Sequence, residues 1–142
     1  MKRIMGVDWG ERRVGIALSD ETRTIASPHT FLTRSPNIDS DIGKIKDLAS
    51  ENDVELILLG MPIRMDGTKG QAAEEVTMVA ERMRSAHGLT VQTWDERLST
   101  AQAERTLIGG DVSRKKRKGK VDQVAAAIFL QSFLDSGAWR RT

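Results

Sequence analysis

The chain contains no cysteine. Disulfides, thiolate zinc sites and thiol catalysis are therefore excluded, and a reducing compartment is expected. No apolar stretch approaches the length of a membrane span. The opening Met-Lys-Arg-Ile-Met-Gly-Val-Asp has no signal-peptide apolar region and runs straight into a strand, so a cytoplasmic protein with no membrane attachment is expected. Internal repeats and low-complexity linkers are missing as well. The only two histidines, His29 and His87, are isolated and have no metal-ligating partner at useful spacing.

What remains reads as one globular domain over residues 1–142, with 39% apolar and 30% charged residues. A net charge of +2 does not make the protein a polycation. The charge is uneven, however: Arg114, Lys115, Lys116, Arg117, Lys118 and Lys120 are almost consecutive. Such a run repels itself and favours a solvated segment. It reads either as a plain solvated loop or as an arm that contacts phosphates.

Residues 3–8 read as a first strand, Val14–Ser19 as a second, and Thr24–Ser27 as a third ended by Pro28. Tight turns at 9–13 and at Asp20–Glu21 join them into an antiparallel meander. Helical spacing follows in Ile38, Ile42, Ile45, Leu48 and Ala49, with Asn37 as cap. Leu56–Leu59 is a continuous apolar run, the mark of a strand buried on both faces. Gln71–Ala86 has Ala72, Val76, Val79, Ala80 and Met83 on one face and Gly88 as its stop. A strand begins at Leu89, and Ser99 with Gln102 forms a capping box for a short helix ending at Gly109–Gly110. A last helix runs over 121–134 with Val121, Val124, Ala125, Ile128 and Phe129 inward. This order predicts an α/β fold with an antiparallel edge and right-handed crossovers, and ligands at the carboxyl ends of the parallel strands.

Acids stand where those ends converge. Asp8 follows the apolar lead-in Ile4–Val7, Asp95 and Glu96 end the strand from Leu89, and Asp122 opens the last helix. A carboxylate at the end of a core strand needs a partner, which can be a protein cation, backbone N–H groups or a metal ion. Taken singly, each acid has an ordinary reading: Asp8 accepts turn amides, Glu96 pairs with Arg97, and Asp122 answers the helix dipole. Taken together they would repel without a cation, and hard oxygen ligands suit Mg²⁺ or Mn²⁺. Two such ions can activate water and stabilise the leaving oxygen of a phosphodiester.

The loop "GMPIRMDGTKG" (60–70) offers Arg64 and Lys69 to phosphate but lacks the Gly-Lys-Ser/Thr of a P-loop. An ordinary long loop is the competing reading. In "WDERLST" (94–100), Arg97, Ser99 and Thr100 can hold a phosphate at a helix start, or Ser99 can simply cap that helix. Trp9 and Trp94 each adjoin a proposed acid and read as core packing or as wedges at the site, with base stacking as the alternative.

"DWGERRVGIALSD", "GMPIRMDGTKG", "DERLST" and "KGKVDQVAAAIFL" resemble, in order and spacing, the motifs of the YqgF family, also called RuvX. This is a Holliday-junction-resolvase-like family of pre-16S rRNA nucleases. The resemblance extends over residues 3–135. It implies an RNase H-like fold: a mixed five-stranded sheet, antiparallel meander plus parallel strands, flanked by helices. It also implies a bacterial cytoplasmic nuclease that trims the 5′ end of precursor 16S ribosomal RNA. Asp8, Glu96 and Asp122 are then the catalytic, metal-holding acids, with Glu96 less secure than the others because Asp95 adjoins it and points oppositely on a strand.

On that resemblance the basic run from Arg114 to Lys120 becomes a flap over the nucleic acid. Arg64, Lys69, Arg97, Ser99, Thr100, Arg114, Lys115, Lys116, Arg117, Lys118 and Lys120 are the expected substrate contacts. The expected partners are precursor ribosomal RNA, with branched DNA and ribosomal particles as further candidates, and the expected state is a monomer or weak homodimer. The rival readings are a Holliday junction resolvase, which should be dimeric, and a non-catalytic RNA-binding or transcription factor with a vestigial site. A sugar-kinase-like ATP binder ranks last, because the chain is too short for a two-domain cleft.

Overall fold

Residues 3–9 alternate between two apolar layers: Ile4 joins one buried cluster, while Met5, Val7 and Trp9 join the other. Only a strand covered on both faces has this pattern. The computed structural model describes residues 2–64, 66–98 and 121–141. Five strands, β1 (Arg3–Trp9), β2 (Arg13–Ser19), β3 (Ala26–Thr33), β4 (Val54–Met61) and β5 (Val91–Asp95), form one sheet in the order β3-β2-β1-β4-β5. β2 is antiparallel to β1 and to β3, and β4 is parallel to β1 and to β5. The expected mixed sheet is therefore present.

Helices α1 (Ile38–Glu51) and α2 (Gln71–Ser85) cover one face through Ile42, Ile45, Val76, Val79 and Met83. Asn37 caps α1 by accepting from the Ser40 amide at 3.1 Å. Gly88, at φ +65°, follows α2 in the left-handed conformation that ends helices. The third helix, α3 (Val121–Ser136), covers the other face through Ala126, Phe129, Leu130 and Phe133.

The inward face of α3 is rotated from the expected one: Val124 and Phe129 are buried as expected, and the side chain of Val121 lies outside the described residues. Ala126, Ala127 and Leu130 are buried, and Ala125 and Ile128 only half-buried. The cause lies in β1: a β-carbon on Gly6 would sit 3.0 Å from the Ala126 carbonyl oxygen and 3.1 Å from Leu130 Cβ. The helix thus rests its backbone on the strand. Gln131 pins its far end, accepting from the Ala26 amide at 2.8 Å and donating to the Thr24 carbonyl at 2.9 Å.

Three boundaries differ from the sequence reading. β3 starts later and runs through Pro28 to Thr33. It is an edge strand whose register with β2 shifts between Ile16 and Ala17, so the missing amide of Pro28 costs no central ladder bond. β4 extends to Met61, which takes Gly60 out of the loop and into the sheet. β5 begins at Val91. The short helix expected over 99–110 and the basic run at 114–120 lie outside the described residues. No helix among the described residues is long and apolar enough to cross a membrane.

Candidate active site

The carboxyl ends of β1, β4 and β5 meet at one edge. On β1, Asp8 belongs with Ile4 and Gly6 by alternation and so faces the α3 layer. It is half-buried. Val7 pairs with Leu59, and Gly60 pairs with Trp94. β5 stops at Asp95, and a single 3-10 turn, Glu96–Leu98, follows. That turn decides between the two neighbouring acids.

Glu96 enters the sheet edge and makes a side-chain hydrogen bond with Asp8. Burial pushes the Glu96 carboxyl above its ordinary range, the bond from Asp8 opposes the rise, and the charge of Asp95 adds to it. Two carboxyl groups can hydrogen-bond only when one of them carries a proton. Like charges brought this close favour a shared proton or a cation between them.

Asp95 is committed elsewhere. Arg97 grips it with Nε at 3.1 Å from Oδ1 and Nη2 at 2.8 Å from Oδ2, and the Arg97 amide adds a bond of 2.9 Å to Oδ1. These bonds hold its carboxyl below the usual carboxylate range. The ordinary reading of Glu96 as a surface partner of Arg97 does not hold: Arg97 pairs with Asp95 instead.

Two further residues shape this edge. A β-carbon on Gly60 would lie 2.6 Å from Glu96 Oε1 and 2.7 Å from Phe129 Cε2. The missing side chain is the notch that admits both the carboxyl and the ring. Sequence reasoning placed Gly60 in a loop and Phe129 merely in the core; the available signal was a glycine directly after a buried apolar run, which marks close approach in a strand. Trp94 stands beside this notch, edge-on to Phe133 with ring centroids 5.1 Å apart.

Asp122 is the second residue of α3, and its side chain lies outside the described residues. The same holds for Ser99, Thr100, Arg114, Lys115, Lys116, Arg117, Lys118 and Lys120. Among the described residues no group of three metal-ligating side chains forms. The donors present, Asp8 and Glu96, are hard oxygens in mutual contact, a set that fits Mg²⁺ or Mn²⁺ and leaves positions for further ligands. Arg97 Nη1 reaches the Arg64 carbonyl at 3.4 Å, which ties Arg97 to the backbone of the loop after β4. The Arg64 guanidinium lies over Gly70, where a β-carbon would come within 2.8 Å of it. Lys69 is exposed, and its backbone bridges to Ile63 across the loop. His87 pairs with Asp39 at 3.1 Å, away from this edge.

Comparison with known proteins agrees with this architecture. A family model described as "RuvX: Holliday junction resolvase" matches residues 2–136. A curated relative from Desulforamulus reducens, named "Putative pre-16S rRNA nuclease", is 46% identical over 96% of this chain and 98% of its own length. A relative of the same name from Halothermothrix orenii is 45% identical over 94% of each chain. Among solved structures, RuvC of T. thermophilus in complex with a Holliday junction substrate superposes with a TM-score of 0.63 at 13% identity, covering 96% of this chain and 97% of that one. At that identity the likeness speaks for the fold, which is RNase H-like.

Proposed function

We propose, from the premise that this chain belongs to the RuvX family, that it is a nuclease hydrolysing phosphodiester bonds in the 5′ processing of precursor 16S ribosomal RNA. The observation that carries the reading is the Asp8–Glu96 contact, formed over Gly60 at the carboxyl edge of the sheet. A cytoplasmic setting and a single working domain go with it.

Asp8 and Glu96 would hold a divalent cation, Mg²⁺ or Mn²⁺, with Asp122 as the third carboxylate. The bound cation supplies an activated water and charge stabilisation for the phosphodiester. The protein's own contribution is positional. Burial of Glu96 against Phe129 keeps its carboxyl in one place, and Gly60 leaves the space. Arg97 is held by Asp95 beside the Arg64 carbonyl, which presets a cation at the margin where a substrate phosphate would lie. Lys69, Ser99, Thr100 and the run from Arg114 to Lys120 would supply further phosphate contacts. Hydrolysis forms a bond from water oxygen to phosphorus and breaks the phosphorus–oxygen ester bond, with a proton passing to the leaving oxygen.

The deciding experiment is cleavage of labelled precursor 16S RNA with Mg²⁺ or Mn²⁺, wild type beside Asp8→Asn, with a four-way DNA junction in parallel. RNA cleavage that needs metal and disappears in Asp8→Asn supports the reading. Cleavage of the junction alone moves the assignment to a resolvase. Equal RNA binding by both proteins with neither substrate cut moves it to a binding factor.

A further inference from the structure

Behind the acid edge, on the opposite face of β1, lies a cavity of about 340 Å³. Its walls include Trp9, Gly10, Arg34, Ala72 and Glu75. Asp8 and Trp9 are consecutive, so the acid pair and this cavity are separated only by the thickness of one strand end.

The wall chemistry is unusual for a structural void. The Arg34 guanidinium stacks on the Trp9 ring, its Cζ 4.8 Å from the ring centroid. Glu75 Oε1 accepts from the Trp9 indole N–H at 2.9 Å and pairs with Arg34 Nη1, also at 2.9 Å. Arg34 Nη1 additionally donates to the Gly10 carbonyl at 3.1 Å and the Glu11 carbonyl at 3.2 Å. Everything is thus built from Nη1 and Oε1. Among the described residues, Arg34 Nε and Nη2 and Glu75 Oε2 have no partner, although the Arg34 side chain is only 16% exposed. A locked donor group and a locked acceptor stand side by side at a cavity with an aromatic-backed guanidinium plane. Helix α2 starts at the same wall with no side chain capping its first amides, which adds positive potential.

That combination matches a nucleobase with its phosphate. Unpaired bases are recognised through edges that set a donor beside an acceptor, the complement of Arg34 Nη2 beside Glu75 Oε2. We propose that this cavity binds the base of an unpaired nucleotide one or two positions from the cut phosphodiester, and so fixes where the strand is cut. The proposal rests on the nuclease reading for its substrate. The polynucleotide crosses the end of β1, its reacting phosphate at Asp8 and Glu96 on one face and the neighbouring base against Arg34 and Glu75 on the other.

The test is an abasic scan. Single-stranded RNA with a mapped cut is prepared with one abasic nucleotide at a time on either side of that cut. For wild type, KM rises about tenfold or more at one offset within two nucleotides, as for the loss of hydrogen bonds to charged groups. In Glu75→Gln and in Arg34→Lys that contrast disappears, because intact RNA then binds like the abasic one. Equal sensitivity at every offset, or a contrast that survives in both variants, overturns the proposal. If wild type cuts no RNA, the nuclease reading fails and the cavity is judged by titration with adenosine and guanosine 5′-monophosphates. A saturable shift of the Trp9 indole N–H resonance, lost in Glu75→Gln, then keeps the nucleotide site, and no shift with either nucleotide overturns it.

Discussion

Gly60 and Glu96 share one space: the β-carbon that Gly60 lacks would lie 2.6 Å from Glu96 Oε1. Even a methyl group there displaces the carboxyl from Asp8 or drives the Phe129 ring back. Gly60→Ala is expected to fold, with a loss of about 1–3 kcal/mol from overpacking. It should lose on the order of a hundredfold in kcat, since small displacements of reacting groups cost that much. Steady-state cleavage beside thermal unfolding checks both, and unchanged kcat would sink the assignment of Gly60 as the seat of Glu96.

Asp95 and Glu96 should respond very differently to loss of charge. Asp95 is bound by Arg97 and Glu96 by Asp8. Glu96→Gln is expected to abolish metal-dependent cleavage and weaken Mn²⁺ binding measured by calorimetry. Asp95→Asn loosens only Arg97 and should cost roughly tenfold to a hundredfold at most, as supporting groups do. Reversal of that order would make Asp95 the ligand.

Gln131 ties α3 to the start of β3 by bonds to the Ala26 amide and the Thr24 carbonyl. It is buried, with 6% of its surface exposed. Gln131→Leu leaves both backbone groups without their partner, and the expected loss is about 1–3 kcal/mol in urea unfolding.

Asp20 gives a pH signature. Partial burial pushes its carboxyl up, but bonds from the Thr22 hydroxyl and the Thr24 and Ile25 amides outweigh this and hold it below the ordinary 3.8. A lowered value in the folded chain means stabilisation that is complete above the unfolded value and fades as pH falls through the folded one. Wild type should therefore melt above Asp20→Ala at pH 7, by about 1 kcal/mol or less in this open turn. The gap should hold down to about the ordinary carboxylate value and close below it. A gap that is the same at pH 7 and pH 2.5 would contradict the role given to this carboxylate.

Much of the framework is legible in the sequence because it rests on periodicity. The apolar lead-in of β1, the apolar run in β4 and the helical spacing of α1 and α2 each report burial directly. Pro28 misleads, since a proline stops a central strand but not an edge strand, and edge position is a property of the whole sheet. Periodicity does not separate Glu96 from Asp95, because their difference depends on a 3-10 turn that begins one residue past the strand; only the family resemblance pointed to Glu96. The Trp9–Arg34–Glu75 cluster joins residues far apart in sequence through side-chain atoms alone, so no spacing rule announces it.

The alternation of Asp8 and Trp9 on β1 has a consequence for errors in folding. Were β1 to pair with β2 one residue out of step, Asp8 would turn into the layer beneath α1 and α2, and Trp9 would be thrust at the space now held by Glu96. A charged group would then be sealed in oil while the largest side chain blocked the acids. The misaligned chain would be unstable, so the carboxylate proposed for the site also penalises the wrong register of the strand that carries it.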